Sequence, residues 1–139
     1  MPEPRALLSR SRLKVTLPRL QILEVFDEDT CATPKEIYRM LNRREPRATL
    51  PTIYRVLAEL NRAGVLDRYG AGHGPAIFAL HRDERPVHLV CRVCGTATGI
   101  VDRRLKIILG AMAHARGFAM ESADVQVRGI CTKCLAHPQ

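Results

Sequence analysis

Two C-x-x-C pairs constrain what this chain can fold into more than any other feature. The first is Cys91–Cys94 and the second is Cys131–Cys134, and the stretch 95–130 between them is too long for a local loop. Four thiolates at ~2.3 Å from one ion are a usual ligand set of structural zinc. The spacing therefore predicts one Zn²⁺ per chain, which ties the last residues of the chain to its middle.

A redox dithiol is the chemical alternative, and two chance pairs are the structural one. A thioredoxin-like dithiol opens a helix after a strand in a βαβ unit, whereas both pairs here border predicted strands. The N-terminus has no apolar signal segment, and no apolar run approaches the ~20 residues of a membrane span. We therefore expect a cytoplasmic protein without a membrane partner, in which reduced cysteines bind metal.

The charge balance indicates a polyanionic partner. The formal net charge is +8, from 22 Lys+Arg and 14 Asp+Glu. A basic surface of this kind favours nucleic acid or an acidic membrane surface. Residues 1–19 hold more basic than acidic side chains, which predicts a weakly helical, basic N-terminal arm.

The N-terminal part carries three helix-start signals, each with a threonine able to cap the first turn. The signals are Thr16-Leu17-Pro18, Thr33-Pro34-Lys35-Glu36 and Thr49-Leu50-Pro51. Extended runs follow at 65–69 and 75–80, and a glycine-rich turn joins them. Three short helices followed by a β-hairpin predict a winged helix-turn-helix. On the inner face of the second helix we place Ile37, Tyr38, Met40 and Leu41.

The third helix is predicted to face DNA. Its apolar positions fall at i, i+3, i+4 and i+7: Ile53, Val56, Leu57 and Leu60. Thr52, Tyr54 and Arg55 face away from them, and these residue types suit base edges and phosphates. Lys14 and Arg19 are the expected phosphate or minor-groove contacts. The alternative is an ordinary solvated helix face.

The C-terminal part predicts a small α/β unit. Residues 81–86 form a charged, proline-containing hinge between a domain at 1–80 and a domain at 87–139. Strands at 87–90 and 96–101, a helix that begins after Asp102 and ends at Gly117, and an extended run at 118–129 give a β-β-α-β order. The predicted fold class is α+β, with a winged helix-turn-helix domain followed by a zinc-containing domain.

The remaining metal-capable side chains cluster near the hinge. His81 and His88 flank it, and a ligand that joins both would set the angle between the domains. Cys31, just before the second helix, is either a small buried hydrophobe or a third ligand. The other histidines are expected to be solvated: His73, His114 and His137.

No catalytic pattern is present. The chain has no serine-histidine-acid arrangement and no phosphate-binding loop, so we expect neither an enzyme nor a small-molecule substrate. A zinc-stapled protein-interaction module without a DNA role is the alternative of another class.

Five segments together resemble the ferric uptake regulator family, and the resemblance covers nearly the whole chain. The segments are Leu13–Leu20, Glu36–Tyr38, Thr52–Leu57 with Ala63–Val65, His88–Gly95 and Gly129–Cys134. The resemblance implies a homodimeric transcription factor that binds double-stranded DNA at a palindromic operator, usually to repress metal-uptake genes. It also implies that Lys14, Tyr54 and Arg55 occupy DNA-contact positions.

The resemblance further implies a regulatory metal at the hinge, and here the sequence departs from the family pattern. The family's usual ligand positions read Cys31, Ala79 and 85–88, so that only His88 remains, with Cys31 as a chemically able substitute. A further family site is lost at Val87, Lys106 and Ala123. Thiolate and imidazole ligands favour Zn²⁺ over Fe²⁺, which points to the zinc uptake branch. A family member that does not sense metal, or that senses another signal, is the alternative.

Overall fold

The computed structural model describes residues 3–43, 45–70 and 75–137. The helices are α1 (Pro4–Arg10), α2 (Leu17–Val25), α3 (Pro34–Leu41), α4 (Leu50–Arg62), α5 (Arg103–Ala115) and α6 (Thr132–Ala136). The strands are β1 (Cys31–Ala32), β2 (Leu66–Tyr69), β3 (Ile77–Leu80), β4 (Val87–Cys91), β5 (Ala97–Ile100) and β6 (Gln126–Gly129). The predicted turn at 71–74, which includes His73, lies outside the described residues.

The three predicted helix starts are confirmed. Thr16 and Thr49 each accept a hydrogen bond from the backbone N–H three residues later. Thr33 and Glu36 form the complete capping box, with the two N–H···O distances at 3.2 and 3.0 Å. These caps satisfy backbone donors that a helix start otherwise leaves unpaired.

The N-terminal core is organised around α4. All four of its predicted apolar positions are buried: Ile53, Val56, Leu57 and Leu60. They pack against α2, α3 and a three-stranded antiparallel sheet with the order β1-β3-β2. This is the predicted winged helix-turn-helix, and the mixed α+β fold class is confirmed.

Two features of the N-terminal part differ from the prediction. The arm that was predicted to be weakly helical forms the capped helix α1, and its Leu8, for which no core position was predicted, is fully buried in the core. The strand β1 was not predicted. It has only two residues, so it shows no periodicity, and pairing with Phe78 and Ala79 of β3 alone defines it.

The inner face of α3 is narrower than expected. Ile37 and Leu41 are buried, but Tyr38 and Met40 are exposed, and the prediction for those two is wrong. A helix of this length contacts the core along one narrow stripe, here Pro34, Ile37 and Leu41.

The C-terminal part has the predicted β-β-α-β order. Its sheet has the order β5-β4-β6, with β5 antiparallel and β6 parallel to the central β4. The helix α5 makes the crossover between β5 and β6, starts at the Asp102 cap and ends before Gly117, whose φ is +85°. Only Gln126–Gly129 of the predicted extended run is a strand, and α6 was not predicted.

The two parts meet through side chains of both sheets. Tyr69 and Ile77 of the first sheet share a buried cluster with Val90 of β4. The domain limits 1–80, 81–86 and 87–139 stay a prediction. None of the described helices is long and apolar enough to cross a membrane.

Candidate metal centre and nucleic-acid interface

Strand pairing brings the two C-x-x-C pairs together. Cys91 is the last residue of β4 and lies opposite Gly129, the last residue of the parallel strand β6. Cys131 comes two residues after Gly129 and is therefore close to Cys91. Cys131 is the N-cap residue of α6, without a capping hydrogen bond from its side chain, and Cys134 lies within that helix. Cys94 is held in a turn closed by the hydrogen bond from Gly95 N–H to the carbonyl of Cys91 at 2.9 Å, and the φ of +80° at Gly95 favours glycine.

The geometry of the four cysteines fits a tetrathiolate zinc site. Their sulfur atoms all lie within 4.8 Å of one another. The Sγ atoms of Cys94 and Cys131 are 3.8 Å apart. A tetrahedron with Zn–S bonds of ~2.3 Å has an S···S edge of about 3.8 Å. The cluster therefore has the ligand type, the ligand number and the spacing of a structural zinc site.

Hydrogen bonds around the sulfurs shift the pKa values of the cysteine thiols. The backbone N–H of Cys131 donates to Sγ of Cys91 at 3.4 Å and, with further N–H groups of the turn, lowers the pKa of Cys91 to about 6. A hydrogen bond with the Thr96 hydroxyl lowers the pKa of Cys94. The hydrogen bond with Cys131 and burial raise the pKa of Cys134 to about 12, because adjacent sulfurs cannot all be anionic without a cation.

Among the predicted hinge residues, His81 is engaged elsewhere. Its Nδ1 lies 3.0 Å from Oδ1 of Asp67, and its Nε2 lies 3.7 Å from Oδ1 of Asp83. The hydrogen bond to Asp67, with the charge of that carboxylate, raises the pKa of His81. The side chain is exposed and forms a surface ion pair.

His88 is buried to 1% exposure in the central strand β4. Its ring packs on Tyr69, with centroids 4.4 Å apart. Neither of its ring nitrogens has a hydrogen-bond partner within the described part of the chain. Burial lowers the pKa of His88, which keeps the imidazole in the neutral form that binds metals.

Cys31 of β1 and His88 of β4 both lie in strands that border β5. Gly99 is opposite His88 in the β4–β5 register, and a methyl group at Gly99 would lie 3.6 Å from Nε2 of His88. The thiol of Cys31 is half-buried. Burial and then the Glu36 carboxylate raise the pKa of that thiol. A half-buried thiol and an unpartnered imidazole thus lie in two strands that both border β5.

The structure does not assemble the three predicted regulatory ligands into one cluster. Over residues 3–43, 45–70 and 75–137, the four zinc-type cysteines are the sole group of three or more metal-capable side chains with ligand atoms in mutual reach. Ala79, opposite Cys31 in the β1–β3 register, offers no donor. The assignment of Cys31, His81 and His88 to a regulatory site stays a prediction.

The three positions at which the resemblance implied a lost metal site line one cavity. Val87, Lys106 and Ala123 line one cavity of about 140 Å³ between the hinge and α5. The walls include Leu105 and Leu109 of α5. The three residues therefore line the same cavity, but a valine, a lysine and an alanine do not supply a set of metal ligands.

The helix α4 presents the predicted DNA-binding side chains at its N-terminal turns. Tyr54 is 50% exposed, and the side chain of Arg55 is 62% exposed. Thr52 is half-buried, and its hydroxyl bonds the capping hydroxyl of Thr49 at 3.0 Å. In a winged helix the N-terminal residues of this helix are those that enter the major groove.

The other two predicted DNA contacts differ from each other. Lys14 is exposed, but Arg19 is largely buried in an ion pair with Glu59 of α4 at 3.1 Å. Arg19 also donates to the carbonyl of Lys14 at 2.7 Å. Glu59 was not predicted to have a role, although its position four residues after Arg55 is a sequence signal for a helical ion pair.

Comparison with known proteins identifies the family. The sequence profile of the Ferric uptake regulator family matches residues 10–128. The Ferric uptake regulation protein of Cupriavidus metallidurans is 37% identical over 135 residues, which span 96% of this chain and 94% of that protein.

Solved structures agree. The crystal structure of the Vibrio cholerae ferric uptake regulator matches with a TM-score of 0.76 at 30% identity, over 91% of this chain and 98% of that one. A zinc uptake regulator complexed with zinc and DNA matches with a TM-score of 0.61 at 20% identity, over 95% of this chain and 90% of that one, which shows the shared fold. The chain therefore belongs to the ferric uptake regulator family of metal-responsive, DNA-binding transcription regulators, and it is not an enzyme.

Proposed function

We propose that this protein is a homodimeric repressor of metal-uptake genes that places α4 in the major groove of a palindromic operator. The observation that carries the proposal is the exposed pair Tyr54 and Arg55 at the capped N-terminal end of α4. Arginine reads guanine through two hydrogen bonds, and a phenol ring offers apolar contact and one hydrogen bond. The net charge of +8 supports binding to a polyanion. The proposed place of action is the cytoplasm.

The surface of the C-terminal part supports a homodimer. No residue of α5 is buried in the single chain, and its Ile107 is 71% exposed. Phe118, just after the helix, is 69% exposed. Large exposed apolar side chains in one region mark an interaction surface, and a second copy is the commonest partner. Two-fold symmetry of such a dimer matches a palindromic operator.

We assign one structural Zn²⁺ per chain to Cys91, Cys94, Cys131 and Cys134. The supporting observation is the cluster of four sulfurs within 4.8 Å. Bound zinc supplies the charge that lets all four thiols deprotonate, and it joins β4 to the C-terminal helix α6.

For the metal response we propose zinc rather than iron, held at the hinge by His88 and Cys31. The unpartnered ring nitrogens of buried His88 and the thiol of Cys31, in a strand that borders the same β5, support this choice, since thiolate and imidazole are softer ligands than carboxylate. His81 is left out of this pair because Asp67 engages it. An ion bound by both residues would join β1 to β4. It regulates DNA binding only if it binds the DNA-competent conformation more tightly than the other conformations.

Selection from a pool of random duplexes tests the DNA-binding function. Zinc-loaded protein is expected to enrich one palindromic site, and affinity for that site is expected to fall steeply with salt because phosphate contacts release counterions. Failure to enrich any duplex at low salt would reject the proposal and favour a zinc-stapled protein-interaction module.

Measurement of the metal content tests the proposed regulatory site of His88 and Cys31 separately from the DNA-binding function. Mass spectrometry of the metal content is expected to show one tightly bound zinc, and titration with Zn²⁺ is expected to add a second equivalent that strengthens DNA binding. In Cys31→Ser the second equivalent is expected to be lost and the first retained. One equivalent with no effect of Zn²⁺, Fe²⁺ or Mn²⁺ on DNA affinity would reject the hinge site and leave the DNA-binding function intact.

A further inference from the structure

Glu59 of α4 stands between Arg19 of α2 and Arg55, the arginine that the proposed DNA-binding function uses. Its Oε2 lies 3.1 Å from Nη2 of Arg19 and accepts a hydrogen bond from it. Its Oε1 lies 3.6 Å from Nη1 of Arg55. One carboxylate therefore faces a guanidinium of α2 on one side and the exposed guanidinium of the recognition helix on the other.

The contact with Arg19 is a firm anchor. Arg19 donates through Nη1 to the carbonyl of Lys14 at 2.7 Å and through Nη2 to Glu59. Both side chains of the ion pair are mostly buried. A charge-assisted hydrogen bond in such a partly buried position is stronger than one on the surface. The carboxylate of Glu59 is thus fixed in position relative to α2.

The contact with Arg55 is loose. A distance of 3.6 Å is too long for a hydrogen bond, so attraction between the charges is what remains. Oε1 of Glu59 is buried and has no hydrogen-bond partner among the described residues. Arg55 is exposed, and exposed ion pairs contribute little. The Glu59 carboxylate therefore attracts the Arg55 guanidinium without holding it in one position.

We propose that Glu59 is a positioning and specificity-determining residue of the DNA-binding face. The anchored carboxylate keeps the Arg55 guanidinium on the groove-facing side of α4 and competes with phosphates for it. A phosphate on a random duplex must draw the guanidinium away from this carboxylate, and the attraction between the two is then lost. A correctly placed guanine can be read through Nε and Nη2 of Arg55 while Nη1 stays beside Glu59, so the specific complex keeps that attraction. The inference rests on the proposed DNA-binding function of α4.

The role differs from that of an ordinary structural ion pair. A structural pair changes stability and leaves the ratio of specific to non-specific affinity alone. Here removal of the charge frees Arg55 for any phosphate, so non-specific affinity rises and the ratio falls. One additional phosphate contact in each subunit is expected to steepen the slope of log affinity against log salt by about 0.9 per subunit, or about 1.8 for the dimer.

Fluorescence anisotropy with the selected duplex and a scrambled duplex tests the proposal. In Glu59→Gln the remaining amide oxygen still accepts the hydrogen bond of Arg19, and we expect scrambled-duplex affinity to rise several-fold and the specificity ratio to fall by the same factor. Glu59→Ala is a second variant with high helix propensity and the same expected direction. Glu121→Gln, an exposed position in the C-terminal part, is the control for the change in net charge.

A double-mutant cycle with Arg55→Gln tests whether Glu59 affects DNA specificity through Arg55. If Glu59 acts through Arg55, Glu59→Gln has no further effect on the ratio in the Arg55→Gln background. An unchanged ratio in both Glu59 variants, or a change equal to that of Glu121→Gln, overturns the proposal. Absence of selective DNA binding by the unmodified protein instead overturns the function on which it rests.

Discussion

The ring of Tyr69, at the end of β2, packs on the ring of His88 in β4, with a centroid distance of 4.4 Å and an interplanar angle of 52°. Both side chains are buried. Arg85 of the hinge lies over the Tyr69 ring, with its guanidinium carbon 4.6 Å from the centroid. This stack of three side chains links the winged-helix sheet, the hinge and the C-terminal sheet.

Loss of the Tyr69 ring is expected to weaken this link. In Tyr69→Leu the free energy of unfolding is expected to fall by about 1–2 kcal/mol, because an aromatic pair and a cation–π contact are removed from a buried position. Urea unfolding measures the change, and Tyr38→Leu, at an exposed tyrosine of α3, is the matched control with an expected change within about 0.5 kcal/mol. Equal effects at the two tyrosines would show that the stack does not stabilise the fold.

The pKa of His81 is expected to lie above its ordinary value of 6.5, because the Asp67 carboxylate favours the imidazolium. The ion pair contributes stability that is fully present below the ordinary pKa and is lost as the pH rises through the raised value. An NMR titration of the His81 ring measures this pKa. In Asp67→Asn the pKa is expected to fall towards 6.5. No change between the two proteins would mean that Asp67 is not the cause.

Zinc binding and dimer formation are expected to be lost together in Cys94→Ser. A serine hydroxyl does not ionise as a thiol does, so one of the four ligands disappears and the link between β4 and α6 opens. Elemental analysis and light scattering measure metal content and mass. The matched control is Cys31→Ser, which changes the one cysteine outside the cluster and keeps the structural zinc. A folded, dimeric Cys94→Ser protein without zinc would show that the metal is dispensable.

The sequence predicts most of the fold where the signals are local. Threonine caps, the i, i+3, i+4, i+7 stripe of α4 and the two cysteine pairs each act within a few residues, and the structure bears them out. The capping box of Thr33 and Glu36 is a direct example, since its two hydrogen bonds join residues three apart.

Features that depend on distant partners were missed. The strand β1 is defined only by its pairing with β3, and the packing of Leu8 of the weakly helical arm into the core depends on residues far along the chain. The ion pair of Arg19 with Glu59 spans 40 positions, so the sequence suggested a phosphate contact for Arg19 and nothing for Glu59. Likewise, the commitment of His81 to Asp67 could not be seen without the hairpin register that brings them together.

The proposed function depends above all on recognition of the DNA sequence by α4, and Arg55→Ala tests that recognition most directly. Fluorescence anisotropy is measured on the selected palindromic duplex and on its scrambled counterpart, with Arg116→Ala, an exposed arginine after α5, as the control. Removal of a bidentate arginine–guanine contact costs about 1–3 kcal/mol for each half-site, so we predict at least a tenfold loss on the palindrome and a much smaller loss on the scrambled duplex, with the dimer intact. An Arg55→Ala protein that binds the palindrome as tightly as Arg116→Ala would contradict the account.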